Sequence, residues 1–164
     1  MIIIGIDPGV SGAAALVNHC GLLEVFDLPV TRSEADGRTK SKLDGRDLAV
    51  MLREALRRLD GATESVEIWL EDVHAMPAKK SGSGANSSLM HSKGVIEGVA
   101  GALGYPVFLV GSRKWKGLFG ADADKANSIS LALKLYPDAP ITLKKHHNRA
   151  EALLIARYGL RERF

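Results

Sequence analysis

The first apolar run of the chain, Ile2-Ile3-Ile4-Gly5-Ile6, ends on a carboxylate, Asp7. A continuous β-branched run of this length reads as a strand buried on both faces. Such a strand cannot finish on a charge without something to neutralise it. Pro8-Gly9-Val10-Ser11-Gly12 is turn chemistry, and a second apolar run begins at once with Ala13. A strand that passes to another strand within one tight turn, and leaves an acid at the hinge, excludes an all-helical chain. It points to a sheet whose strand ends gather polar groups.

The remaining pattern places other elements around that strand. Residues 13–17 and 22–28 read as two further strands, joined by a turn over Asn18 to Gly21 and short enough for an antiparallel meander. Residues 31–43, with Arg32, Arg38, Lys40 and Lys42, read as a polar surface loop. Leu48, Met51, Leu52, Ala55, Leu56 and Leu59 recur at helical spacing within 44–59, with Asp44 or Asp47 available as the cap. Residues 66–70 form a short strand running into a second acid, Glu71.

Residues 74–87 are rich in Gly, Ser and Lys and read as a mobile loop. A helix over 89–103 carries Gly94, Gly98 and Gly101, which lower its stability but allow close packing. A strand over 106–110, a short basic segment over 112–119, a helix over 124–135 stopped by Pro137, and a last helix over 146–158 complete the chain. The expectation is an α/β fold. Three antiparallel strands are followed by two strands parallel to the first, giving a five-stranded mixed sheet flanked by helices.

Composition narrows the class. The 164 residues suit one domain over 1–164. Lys and Arg number 22 against 19 Asp and Glu, a mild excess that permits an anionic partner without requiring one. One cysteine, Cys20, rules out an intrachain disulfide and favours a reducing compartment. No stretch reaches the roughly 18 apolar residues of a membrane span, and the start lacks a basic n-region and a cleavage-like site. The cytoplasm is the expected location.

Asp7 and Glu71 fall at the carboxyl ends of their strands. Asn148 and Glu151, at i and i+3, share one face of the last helix. Two acids from separate strands with oxygen ligands from a helix suit a hard cation such as Mg²⁺ or Mn²⁺, and a pair of such ions can clamp an in-line phosphoryl displacement. No lysine in the neighbouring motifs is clearly placed to neutralise these acids instead. Taken singly, Asp7 is an ordinary turn residue and Glu151 a solvated helix acid. Glu71 is followed by Asp72, and strand alternation lets only one of them face inward. Trp115 reads as core.

The quoted pieces then resemble a known family. "GIDPGVSGAAAL", "WLEDVHAMP", "WKGLFG" with "DKANSISLALKLYP", and "HHNRAEALLIARYG" occur in that order over nearly the whole chain. Together they are similar to RuvC-like Holliday junction resolvases of the RNase H-like superfamily, of bacteriophage or bacterial type. The resemblance implies a homodimeric endonuclease that uses Mg²⁺ or Mn²⁺, two ions per site, to cut four-way DNA junctions symmetrically, with no nucleotide cofactor and no membrane. It assigns Asp7, Glu71 and Glu151 as metal-binding acids, favours Glu71 over Asp72, and matches Lys125 to a lysine near the active site. Asn148 stands where the family usually has an acid, or in some members a histidine nearby, so the chain reads either as an Asp-to-Asn active-site variant or as a natural form in which His147 helps. An amide keeps the shape and one oxygen but loses the charge, which implies impaired cutting by the chain as written.

Lys79, Lys80, Arg113, Lys114, Lys116, Lys144, Lys145 and Arg149 flank the acids and together suit a phosphate-binding rim. His74 stands where the family places a residue that enters the junction. The alternatives are a non-catalytic junction-binding module, for which Asn148 is the hint, and a fragment of an actin-like or sugar-kinase ATPase, which needs about twice this length.

Overall fold

The computed structural model describes residues 1–35, 38–59, 64–74, 83–120 and 125–164. Its centre is a sheet in the order β3-β2-β1-β6-β7, built from β1 (Ile2–Asp7), β2 (Ala13–Asn18), β3 (Gly21–Asp27), β6 (Val66–Glu71) and β7 (Val107–Val110). β1 pairs antiparallel with β2, and β2 with β3, whereas β1–β6 and β6–β7 are parallel. This is the expected five-stranded mixed sheet of an α/β fold. The parallel pairs require crossovers, and helices supply them.

Alternation along the central strand sorts the two faces. Ile2, Ile4 and Ile6 join Ile68 and Leu70 in a core covered by α1 (Gly45–Arg58) and α2 (Ser83–Leu103). Ile3 joins Trp69 and Val110 in a second core covered by α3 (Ser112–Phe119), α4 (Lys125–Leu135) and α5 (His147–Arg163). Both faces are buried, which is why β1 reads as unbroken apolar sequence rather than as alternation.

α1 begins where its sequence provides a cap. The Asp44 carboxylate accepts a hydrogen bond from the Asp47 backbone N–H at 3.0 Å, and Leu48, Leu52, Ala55 and Leu56 are buried on one stripe. Trp115 of α3 is fully buried, as its sequence context suggested. α4 ends at Leu135, two residues before Pro137.

Five elements depart from the sequence reading. Residues 31–43 contribute to a two-stranded ribbon, β4 (Val30–Ala35) with β5 (Arg38–Leu43), rather than to a loop. Neither face of a ribbon this polar needs to be apolar, so hydrophobic periodicity could not find it; the Asp36-Gly37 dipeptide, outside the described residues, is the hairpin signal in the sequence. α2 starts at Ser83, inside the stretch read as mobile; residues 75–82 lie outside the described residues. The basic segment at 112–119 is the helix α3, closed by Gly120 in the left-handed conformation. α5 runs to Arg163 rather than to residue 158.

The backbone of α5 lies directly on β1. A Cβ added to Gly5 would lie 2.2 Å from the Ala156 backbone nitrogen and 2.3 Å from the Ala152 carbonyl oxygen. Backbone on the far side cannot turn away as a side chain can. Gly5→Ala is therefore expected to lower stability by more than the ~1–3 kcal/mol of ordinary overpacking, seen as a fall in the urea midpoint at unchanged m-value. A midpoint within error of the parent would show that the α5–β1 contact is loose.

Candidate functional site

The same alternation that separates the cores assigns the acids. Ile3, Gly5 and Asp7 share the α5 face of β1, and Trp69 and Glu71 share that face of β6. The register Ile6↔Leu70 sets Asp7 and Glu71 side by side at the carboxyl end of the parallel pair. Asp72 is one residue on and goes the other way. Its carboxylate takes Lys93 of α2 at 2.6 Å and lies 3.4 Å from His74 Nε2. The choice between Glu71 and Asp72 that the sequence left open is thus made by strand parity.

α5 brings the third acid. Carboxylate oxygens of Asp7, Glu71 and Glu151 all lie within 4.8 Å of one another. Asp7 and Glu71 are only 9% and 8% exposed. Burial, and then the Glu151 charge, push the Glu71 carboxyl above its ordinary range, while Lys116 pulls it back. The turn between β1 and β2 closes tightly over this end: a Cβ on Gly12 would meet the Asp7 carbonyl oxygen at 2.2 Å. Three oxygen donors this close, two of them shielded from water, suit a divalent cation, because it would cancel the mutual repulsion that burial amplifies.

Lys116 is a correction to the sequence reading. Its Nζ lies 3.3 Å from Glu151 Oε1, so a lysine does reach the acids and is not simply part of an outer rim. Ser128 of α4, buried, approaches the same Glu151 oxygen at 3.4 Å. Nothing in a lone helical serine announces this; the packing of α4 on α5 creates it. Arg149 is a second correction. It makes a two-pronged pair with Asp27 (2.6 and 2.7 Å) and donates to the Pro140 carbonyl, so it ties β3 to α5 rather than facing solvent for phosphate. The Arg149 guanidinium holds the Asp27 carboxyl below its usual range.

Asn148 and His147 precede Glu151 on the first turn of α5, at i–3 and i–4, and both are half-buried. The Asn148 side-chain amide donates to the Ser11 carbonyl and so pins the β1–β2 turn to α5. An aspartate there could make that bond only when protonated. Arg113, Lys114, Lys144 and Lys145 are exposed, and His74 is 80% exposed. Lys79 and Lys80 lie outside the described residues, as does the side chain of Lys125, whose backbone opens α4.

Comparison with known proteins follows the geometry. No family model matches the chain. The Holliday junction resolvase MOC1, chloroplastic, of Chlamydomonas reinhardtii is 32% identical over 151 residues, which are 83% of this chain and 17% of that protein. The chain thus spans about one-sixth of that relative's length. Among solved structures, T. thermophilus RuvC in complex with Holliday junction substrate superposes with a TM-score of 0.60 at 17% identity, covering 99% of this chain and 96% of that one. A second Thermus thermophilus RuvC structure gives a TM-score of 0.56 at 19% identity, with the same coverage of both chains. The resemblance to Holliday junction resolvases read from the sequence recurs in that relative, and the fold is the one seen in RuvC.

The crowded carboxylates give a pH dependence with a definite sign. A folded-state pKa above the ordinary 4.5 means that Glu71 costs nothing below that value, and that stability falls as pH rises through the raised one. In EDTA, Glu71→Gln is expected to melt at a higher temperature than the parent at pH 7–8, the gain closing below pH 4.5. An equal difference at every pH would mean that the effect is packing and not charge.

Proposed function

We propose that this chain is the nuclease domain, over residues 1–164, of a RuvC-like Holliday junction resolvase: a metal-dependent endonuclease that cuts four-way or other branched DNA by phosphodiester hydrolysis. The observation that carries the reading is the convergence of Asp7, Glu71 and Glu151 at the strand ends of a RuvC-type sheet. The resolvase relative and the junction-bound RuvC neighbour support the substrate class.

In this reading Asp7, Glu71 and Glu151 hold Mg²⁺ or Mn²⁺, with the Asn148 side-chain oxygen or His147 completing the set. A divalent cation there supplies the Lewis acid for the scissile phosphate and lowers the pKa of an attacking water. The protein's own contribution is position and exclusion of water. The β1–β2 turn and α5 fix the carboxylates before substrate arrives, so little reorganisation remains at the moment of reaction. Lys116 sits beside Glu151 when the site holds only protein and is placed to meet phosphate charge. Arg113, Lys114, Lys144 and Lys145, with Lys79 and Lys80, form the phosphate rim, and Lys125 and His74 take the roles implied by the resemblance. Two copies, arranged as a homodimer in the cell interior, give the two symmetric cuts.

Asn148 carries no charge, so the site is one carboxylate short of a four-acid set and cutting is slow. Asn148→Asp raises the single-turnover rate by roughly two powers of ten if the added charge contributes ~3 kcal/mol to the transition state. The same change gives up the amide bond to Ser11 and costs about 1 kcal/mol of stability. A labelled four-way junction with Mn²⁺ or Mg²⁺ reads the rate, and urea unfolding reads the stability. An unchanged or lower rate would mean that His147 or another group already completes the site.

Asp7→Asn is expected to abolish metal-dependent cutting and to weaken Mn²⁺ binding by calorimetry, while junction binding survives. The parent should bind a four-way junction more tightly than duplex of equal length at physiological salt. Equal affinity, with no cleavage of either DNA, would sink the resolvase reading.

A further inference from the structure

The ribbon β4–β5 and the first half of α2 enclose a cleft of about 500 Å³ that is separate from the acid cluster. Lys40, Ser41 and Lys42 of β5 line one wall, and Ser87, Ser88 and His91 of α2 line the other, with Gly84 beneath. The helix residues fall at i, i+3, i+4 and i+7, one continuous face of α2. Lys40 and Lys42 are two apart on a strand, so they share a side of the ribbon about 7 Å from each other.

The charge of this cleft is one-sided. Among the described residues its lining holds two lysines, a histidine and three hydroxyls, and no carboxylate. The cross-strand partners of Lys40 and Lys42 are Ser33 and Thr31, both neutral. Among the described residues no carboxylate forms an ion pair with either lysine. Converging cations without a counter-charge repel one another, and an anion with several acceptor oxygens relieves that.

The cleft also stands at the right end of the molecule. Leu89, between its helix residues, is the side chain that a Cβ on Gly9 would meet, at 3.9 Å, in the turn directly after Asp7. Lys93, half a turn beyond His91, is bonded to Asp72, the neighbour of Glu71. α2 therefore runs past the strand ends that carry the acids, on the opposite face of the sheet, to the ribbon, and the ribbon is anchored at its base by Thr31, which donates to the capping carboxylate of Asp44.

We propose that this cleft binds the phosphodiester backbone of a DNA arm flanking the cut site, Lys40 and Lys42 each neutralising one phosphate while Ser87, Ser88 and His91 donate hydrogen bonds from the facing helix. The inference rests on the nuclease reading for its choice of polyanion, but its residues lie outside the acid cluster and outside the rim assigned from sequence. The ribbon thereby gains a purpose that its polar sequence does not advertise.

The test is the salt dependence of binding to a fluorescein-labelled four-way junction and to a labelled duplex, measured by anisotropy for the parent and for Lys40→Ala/Lys42→Ala. Each lost phosphate contact removes about 0.9 from the slope of log K against log salt, so the double variant should be shallower by about 1.8 on both DNAs. Lys40→Arg/Lys42→Arg should keep the parent slope, and so should Lys134→Ala on the exposed end of α4. A parent-like slope in the double alanine variant overturns the proposal, and so does a loss of about 0.9 in Lys134→Ala, half that of the double variant, which would mean that only net charge matters. The nuclease reading fails separately. If the parent neither prefers nor cuts the junction, yet the difference of about 1.8 appears on plain duplex, the cleft stands as a DNA site and the resolvase reading falls.

Discussion

The contact between Gly5 and α5 governs the rest of this molecule. Because residue 5 has no side chain, the backbone of α5 at Ala152 and Ala156 lies directly on the central strand. Ala150, Ala152, Leu153, Leu154, Ile155 and Ala156 are then buried together, a run no amphipathic surface helix shows. Each large apolar side chain so buried contributes roughly 1.5–3 kcal/mol. The same contact fixes the height of α5 along β1, and that height places Glu151 beside Asp7, two strand positions beyond Gly5. Stability of the core and assembly of the acid cluster thus depend on one close approach. A second helix–sheet approach supports it: the Trp69 ring lies against Gly159, where a Cβ would come within 2.6 Å.

Parity does the sorting once the helix is in place. On β1 and β6 every second residue faces α5, so Asp7 and Glu71 meet Glu151 while Asp72 is turned to Lys93 on the other side of the sheet. Two adjacent acids in the sequence acquire opposite environments. Asp72 is held below its ordinary pKa chiefly by its bond to Lys93, and Glu71 is pushed up by burial and by Glu151. The first pair is a structural tie between β6 and α2. The second is a concentration of negative charge, with Lys116 set against Glu151 at its edge.

Much of the fold was legible in the amino-acid sequence because burial leaves a pattern there. Unbroken β-branched residues announced β1, the 3.6-residue stripe announced α1 with Asp44 available as its cap, and Pro137 marked the end of α4. The ordered motifs around Asp7, Glu71 and Glu151 carried the resemblance to RuvC-like resolvases. The ribbon β4–β5 and the early start of α2 left no such pattern. Thr, Ser, Lys and Gly in those stretches bury little, so their structure is set by pairing and docking rather than by hydrophobic period.

By itself the sequence determined which residues are acids, where strands end, and that an acid closes the first of them. Only the tertiary structure decided which acids meet. Lys116 and Arg149 make the distinction plain, since both read as surface cations and both are committed to carboxylates, Glu151 and Asp27, from distant parts of the chain. Lys40 and Lys42 read as loop residues and face His91 across a cleft. A charge interacts with whatever lies within a few ångströms of it, whatever the separation along the chain. Chain order states that a charge exists, and the packing of α5, α2 and the ribbon against the sheet states what it faces.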